Sequence, residues 1–387
     1  MKLITYRFRG AEHVGALTGD GAHVAPLPFQ DMNQLIAASS LPHLRTMAAQ
    51  AEEAGAVIPT AQITLLAPIP CPRQDILCLG MNYKAHEAEA ARYDADAFTK
   101  EKLSGNPAGV VLDARGLTDE EMRRIARELN NSETAFLFPG KPGEYDVQVR
   151  FFTPAKEVPV CGHATIASHY VRAMELGLDS ARVVQKCGAG IFAVDVCKEN
   201  GDCRVVMSQG RAVLGEPLSR EHQDRVLAAL GVTRGDLRPG CPMASASVGS
   251  PKLMVVLRSL DKLHSLTPDL EALKELSGEI GCSGYLVFTL HPGEEPLVHA
   301  RMFGPANGVA EDPVTGIANG PMGAYLVRNG LIPAEGDEVR FTAVQGEAMG
   351  RPGSMEVRVA LENGQAGEIQ IVGDAVVAFR TTLELDA

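Results

Sequence analysis

The chain has no stretch approaching the ~18 uninterrupted apolar residues of a membrane-crossing helix, so no such span is expected. It also lacks a basic excess. With 36 Lys and Arg against 48 Asp and Glu, the net charge is −12, the wrong sign for a nucleic-acid or anionic-membrane partner. No C-x-x-C pair occurs, and none of the eight cysteines (71, 78, 161, 187, 197, 203, 241 and 282) stands at zinc spacing from histidines. Reduced, mostly packed thiols are therefore expected, with no metal. The opening run Met1 to Arg9 has no apolar signal core, which points to a cytoplasmic protein.

What is present is a globular composition, 45% apolar and 22% charged, in a chain of 387 residues long enough for two or three domains. Residues 1–94 differ in style from the rest. Short apolar segments (Lys2 to Phe8, His13 to Leu17, His23 to Pro26) separated by glycines predict a small β-meander. Gln30 to Gly55 reads as one or two helices, and Leu65 to Pro72, with three prolines, as an extended connector. A buried strand over Gln74 to Leu79 and a helix over Lys84 to Arg92 complete the segment.

Beyond it the chain repeats itself. Pro159-Val160-Cys161-Gly162-His163-Ala164 returns as Pro313-Val314-Thr315-Gly316-Ile317-Ala318. Each copy follows a Phe-x-Pro-Ala run, Phe152 to Ala155 and Phe303 to Ala306, and leads into a helical stretch ending near a Gly-Leu pair. Upstream, Gly105-Asn106-Pro107 and Gly249-Ser250-Pro251 each feed a Val-Val-Leu strand. A helix follows in each half: Thr118 to Leu129, with Thr118 and Glu121 as a capping pair, and Thr267 to Ile280, started by Thr267-Pro268. Strands from Thr134 to Phe138 and Gly284 to Thr289 come next. Gln209-Gly210 and Gln345-Gly346 supply a third match. The reading is a duplicated α+β domain of antiparallel strands around a helix, 95–215 and 216–387, facing its copy across a shared site.

A duplicated scaffold keeps in both copies what the fold requires, so polar differences at matched positions are functional candidates. Glu133 aligns roughly with Ser283, His163 with Ile317, and Asp312 with Val158. Glu133 lies between a helix end and an apolar strand, which suits either a turn carboxylate or one that takes a proton from carbon and returns it. His163 sits in the first turn of a helix, where free backbone N–H groups favour a substrate carboxylate; a structural histidine is the other reading. Asp312 caps its helix, orients a substrate amine or assists proton transfer. Gly162 and Gly316 mark tight turns or close approach of backbone to a ligand. Cys161 is either a reactive thiol at a helix start or, as favoured here because its counterpart is Thr315, a packed one.

Gly105-Asn106-Pro107-Ala108-Gly109-Val110, Asn131-Ser132-Glu133-Thr134-Ala135-Phe136, Phe151-Phe152-Thr153-Pro154, Cys161-Gly162-His163-Ala164-Thr165 and Glu311-Asp312-Pro313-Val314-Thr315-Gly316 with Ala318-Asn319-Gly320 together resemble the phenazine-biosynthesis PhzF-like isomerase/epimerase family. The resemblance spans about 95–387. It implies a diaminopimelate-epimerase-like fold, two pseudo-equivalent domains of curved antiparallel sheet around a central helix, with the ligand between them and a homodimeric assembly. It also implies cofactor-free proton transfer on a small carboxylate-bearing substrate. Glu133, Asp312 and His163 match the family's acid/base and substrate-contacting residues, and Gly162, Gly316, Asn106 and Ser132 its binding residues. The phenazine enzymes carry a serine where this chain has Ile317, which implies a different substrate.

Residues 65–70 and Cys78-Leu79-Gly80-Met81-Asn82-Tyr83-Lys84-Ala85-His86-Glu87-Ala88-Glu89 resemble the start of the fumarylacetoacetate hydrolase family, with His86 and Glu89 matching its His-Glu pair. That family's metal-binding carboxylates lie downstream, in the part this chain replaces. Two alternatives to the isomerase follow: a metal-dependent hydrolase or decarboxylase using His86 and Glu89, and a small-acid-binding protein without turnover.

Overall fold

The computed structural model describes residues 2–32, 34–35, 41–66, 92–199, 201–334 and 336–382. The strand expected over Gln74 to Leu79, the His86–Glu89 pair and the helix expected from Lys84 lie outside the described residues. The chain divides into two compact units, Met1–Asn82 and Tyr83–Ala387.

The first unit is the expected meander. Strands β1 (Lys2–Phe8), β2 (Ala11–Leu17), β3 (His23–Pro26), β4 (Ile58–Pro59) and β5 (Thr64–Leu65) form one antiparallel sheet in the order β4-β3-β2-β1-β5. Helix α1 (Leu41–Glu53) covers one face, so Leu44 and Ala48 join Val14, Ala16 and Ala25 in a small core.

In the second unit the strands are β6 (Arg92–Ala97), β7 (Asn106–Val111), β8 (Thr134–Lys141), β9 (Tyr145–Phe152), β10 (Glu157–Val158), β11 (Ala181–Cys187), β12 (Gly190–Glu199), β13 (Asp202–Arg211), β14 (Val213–Pro217), β15 (Ala244–Ser247), β16 (Lys252–Leu257), β17 (Gly284–Leu290), β18 (Val298–Gly304), β19 (Val309–Asp312), β20 (Glu338–Gln345), β21 (Gly353–Glu362), β22 (Gln365–Gly373) and β23 (Ala375–Thr381). They close into one continuous barrel, cross-linked by the pairings β9–β11, β13–β22 and β18–β20. The last strand, β23, pairs with the first, β6.

Two helices run through this sheet. Helix α3 (Gly162–Leu176) packs against β6, β7, β8, β12, β13 and β23, and helix α7 (Gly316–Arg328) against β14, β15, β21 and β22. Both are buried on nearly every side, as a helix inside a curled sheet must be, and small residues let the sheet approach them. The helices outside the barrel are amphipathic: α2 (Asp119–Leu129) covers β8 and β9, while α4 (Arg220–Leu230), α5 (Leu260–His264) and α6 (Leu270–Ile280) build a separate core with β16 and β17. The capping box at Thr118 and Glu121 forms as expected. Helix α6 starts later than Thr267-Pro268 predicts, because Asp269 caps it by accepting from the Ala272 N–H.

Strand register sharpens the alignment of the two halves. Phe152 on β9 faces Thr134 on β8, and Phe303 on β18 faces Tyr285 on β17. The parallel partners agree: Gly109 lies beside Thr134, and Leu253 beside Tyr285. Asn106 therefore matches Ser250, Ala108 matches Lys252, Ser132 matches Ser283, and Glu133 matches Gly284 rather than Ser283. The third sequence match is also displaced. Gln345-Gly346 ends the first strand after α7, whereas Gln209-Gly210 lies on the third strand after α3, at a bulge. The partner by register is Cys187-Gly188. A Cβ on Gly188 would lie 2.9 Å from the Pro159 Cα, and one on Gly346 2.8 Å from the Pro313 carbonyl, so each glycine lets its strand end pass over the Pro-Val stretch that opens the preceding helix.

Candidate active site

The N-termini of α3 and α7 meet. A Cβ added to Gly162 would touch the Ile317 Cγ2 at 3.8 Å. Among the described residues every other α-helix of this unit is capped by a side chain, Thr118, Ser219, Ser259 or Asp269; the N-caps of these two, Cys161 and Thr315, make no side-chain cap bond. The N–H groups of Gly162 and Gly316, the first residues of the two helices, are therefore left for something else. Neither Gly162 nor Gly316 has a positive φ, and the nearest protein atoms to a Cβ would be at 3.8 and 3.4 Å. The tight-turn reading fails at both positions; close approach of a ligand remains.

Glu133 and Ser132 follow α2, whose C-cap Asn130 adopts the left-handed conformation that turns the chain towards β8. The next residue, Asn131, donates to the buried Asp94 carboxylate on β6 at 2.5 Å, which fixes the turn. From it the Glu133 Oε2 reaches the His163 Nε2 at 3.4 Å, and the Ser132 Oγ the same nitrogen at 3.2 Å. The carboxylate is 22% exposed and the imidazole 8%, so one side of the pair faces the cleft. The Cys161 Sγ lies 3.5 Å from the His163 Nδ1. Burial, and then the Glu133 charge, push this thiol well above the usual range, which keeps it protonated and supports the packed-thiol reading.

The second half contributes Asp312. Its carboxylate accepts from the Asn106 amide at 2.9 Å and from the Thr315 hydroxyl, while Asn106 also donates to the Val314 carbonyl at 2.8 Å. Asp312 does not cap α7; it is tied to side chains from both halves. Burial raises its pKa, opposed by the His163 charge and by Thr315 and reinforced by Glu133, so the three groups share one electrostatic environment. Gln345 locks this corner, donating to the Asp312 carbonyl at 2.7 Å and accepting from Asn319 at 2.8 Å. The buried Arg301–Glu311 pair, 2.7 Å apart, anchors the preceding residue, with Arg301 also donating to three carbonyls around α5.

All seven sequence candidates, Glu133, His163, Asp312, Gly162, Gly316, Asn106 and Ser132, thus converge on one place. Glu133, Cys161 and His163 hold potential ligand atoms within 4.8 Å of one another, a spacing that suits a metal ion as well as proton transfer. Sequence reasoning missed Asp94, Gln345, Arg301 and Lys252. Lys252 was findable by the rule that found the others, since it is an ionisable residue opposite Ala108 in an otherwise apolar strand.

Comparison with known proteins places the chain among relatives of one family. A family model described as phenazine biosynthesis-like protein matches residues 95–381. An uncharacterised isomerase of Clostridium acetobutylicum is 49% identical over 295 residues, covering 76% of this chain and 98% of its own. The trans-2,3-dihydro-3-hydroxyanthranilate isomerase of Pseudomonas fluorescens is 31% identical over 292 residues, covering 75% and 98%. The crystal structure of a PhzF-family phenazine biosynthesis protein of Bacillus anthracis superposes with a TM-score of 0.69 at 30% identity, over 77% of this chain and all of that one. The motif set, the paired helices in curled sheets and these relatives leave one assignment: the chain belongs to the phenazine biosynthesis-like PhzC-PhzF family of isomerases.

Proposed function

We propose that the protein is a cofactor-independent isomerase or epimerase of a small carboxylate-bearing substrate, with Glu133 as the acid/base. The observation that carries this reading is the convergence of Glu133 and His163 from one half with Asp312 from the other, beside two uncapped helix N-termini. The N–H groups at Gly162 and Gly316 bind the substrate carboxylate, whose conjugation stabilises charge on the adjacent carbon. The Glu133 carboxylate takes a proton from that carbon and returns it to the other face or to a carbon along the conjugated chain, so no atom is gained or lost. His163 and Ser132 hold Glu133 in place, and Asp312 accepts a hydrogen bond from a substrate amine or hydroxyl. Ile317, where the phenazine enzymes have serine, narrows and dries the cleft and sets the substrate apart from theirs. The enzyme acts in the cytoplasm as a homodimer, without nucleic acid, membrane or metal.

The test is solvent deuterium incorporation into carboxylates of a metabolite mixture. Glu133→Gln is expected to abolish incorporation while binding of the labelled acid stays within about threefold, because the amide keeps the shape and loses the proton-accepting charge. Incorporation by wild type should survive EDTA. Unchanged exchange in the variant would remove the proton-shuttle role, and loss of exchange in EDTA would shift the reading to a metal at Glu133, Cys161 and His163.

A further inference from the structure

The register of the two halves places a cluster in the second half where the first half has its site. Ser250 matches Asn106, which reaches across to Asp312, and Ser283 matches Ser132, which touches His163. Between them stands Lys252. Its Nζ donates to the Ser250 Oγ at 2.7 Å and the Ser283 Oγ at 2.6 Å, and the two hydroxyls are 2.7 Å apart. The Ser283 Oγ also donates to the Pro251 carbonyl at 2.8 Å. The room that the first half gives to Glu133 is taken here: a Cβ on the matching Gly284 would lie 2.4 Å from the Met302 Cε, 2.8 Å from the Phe303 carbonyl and 3.3 Å from the Lys252 Cδ.

The chemistry of this cluster is incomplete. Lys252 is 2% exposed, yet among the described residues no carboxylate lies within ion-pair distance of its Nζ. A buried ammonium without a counter-charge is costly, and of its three N–H donors the serines accept only two. The other buried cation of this half, Arg301, has Glu311. Ser250 and Ser283 are only half-buried, whereas Lys252 is buried, so solvent reaches the cluster from the side of the serines.

We propose that Lys252, Ser250 and Ser283 form an anion subsite in the second half of the cleft, and that the substrate carries a second anionic group, a carboxylate or a phosphate, besides the carboxylate at the helix ends. This rests on the reading that the cleft between the halves binds the substrate. The third N–H of Lys252 donates to the anion, the Ser250 hydroxyl turns its one hydrogen from Ser283 to a second anionic oxygen, and the ammonium supplies the charge. Burial lowers the Lys252 pKa to about 8, opposed by the negative forms of Cys282 and Asp312, the titratable groups that act on it. Burial holds the Cys282 thiol protonated well into the alkaline range and raises the Asp312 pKa as well. The cation is therefore present at neutral pH and lost in mild alkali.

The experiment is calorimetric titration of the full chain with acetate, succinate and inorganic phosphate, at pH 7 and pH 9.5, for wild type, Lys252→Met, Ser283→Ala and Glu133→Gln. Wild type is expected to bind succinate or phosphate at least about tenfold more tightly than acetate at pH 7, and to lose that preference at pH 9.5. Preference for succinate assigns a carboxylate to the subsite, and preference for phosphate a phosphate ester. Lys252→Met should abolish the preference. Ser283→Ala, which keeps the charge and the packing, should weaken it about threefold to tenfold and settles the matter if the methionine variant does not fold. Glu133→Gln should keep the preference, so failure of the subsite is read separately from failure of the proton shuttle. An undiminished preference in both Lys252→Met and Ser283→Ala, or no measurable binding of either dianion to wild type, would overturn the proposal.

Discussion

Asp94 shows how a residue outside the chemistry constrains it. Asp94 is 5% exposed on β6, and among the described residues its carboxyl accepts from the side chain of Asn131, the residue that turns the chain into Ser132 and Glu133. Burial raises its pKa from 3.8 to about 6, with Asn131 opposing the shift, Asp96 adding to it and Arg351 opposing it. The folded carboxyl therefore keeps its proton up to about pH 6, where the unfolded one releases it near 4. This group's contribution to stability is most favourable below pH 4 and falls as pH rises to 6, by about 3 kcal/mol for a shift of about two units. Asp94→Asn removes the titration and keeps an acceptor for Asn131. Urea unfolding of both proteins at pH 4 and pH 7 should show the variant gaining on wild type by about 2–3 kcal/mol at the higher pH. A difference that does not change with pH would mean that the carboxyl is solvated in solution. Nothing in the sequence singles out Asp94 from the acidic residues around it; its role exists only because β6 passes under the Asn131 turn.

Among the elements, α3 and α7 carry glycines with opposite purposes. Gly323 packs α7 against the sheet, where a Cβ would lie 2.6 Å from the Val359 Cγ2 and 3.1 Å from the Val357 Cγ1. Gly162 has no such neighbour and still lacks a side chain. Gly323→Ala is expected to destabilise by about 1–3 kcal/mol through overpacking. Gly162→Ala should hold the melting temperature within a few degrees, its helix propensity being better by about 1 kcal/mol, while weakening binding of the substrate carboxylate at least about tenfold. Melting curves and ligand titration on both variants decide it, and a Gly162→Ala protein that binds normally would remove the helix end from the site. The capping signals behave similarly: Thr118 and Glu121 were legible because a capping box is local, whereas Asp269 was read past because Thr267-Pro268 offered an equally good local start.

At the largest scale, the decisive contact is between the first and last strands of the second unit. Strand β23 pairs with β6 from Ala375 opposite Ala97 to Thr381 opposite Arg92, closing the sheet around α3. Without it β6, which carries the buried Tyr93, Ala95 and Ala97, becomes an open edge. A chain ending at Asp374 is expected to lose its cooperative calorimetric transition near that of wild type and to lose deuterium incorporation. A truncated chain melting within about 5 °C of the full one would show that the closure contributes little.

The sequence by itself determined the duplication, the two helix-opening Pro-Val-x-Gly stretches and the family, because these rest on short local motifs that a repeated scaffold carries in both copies. It also pointed to Glu133, His163 and Asp312, because each is a polar departure from an otherwise matched pair of copies. Tertiary structure alone decided that these groups meet, that Asp312 binds side chains rather than capping α7, that Glu133 matches Gly284, and that Lys252, opposite Ala108, has no counter-charge among the described residues. Those facts depend on strand register and on contacts between residues from 31 to 206 positions apart. A shift of one residue in register turns a side chain to the other face of a sheet, and local preferences do not encode such a shift.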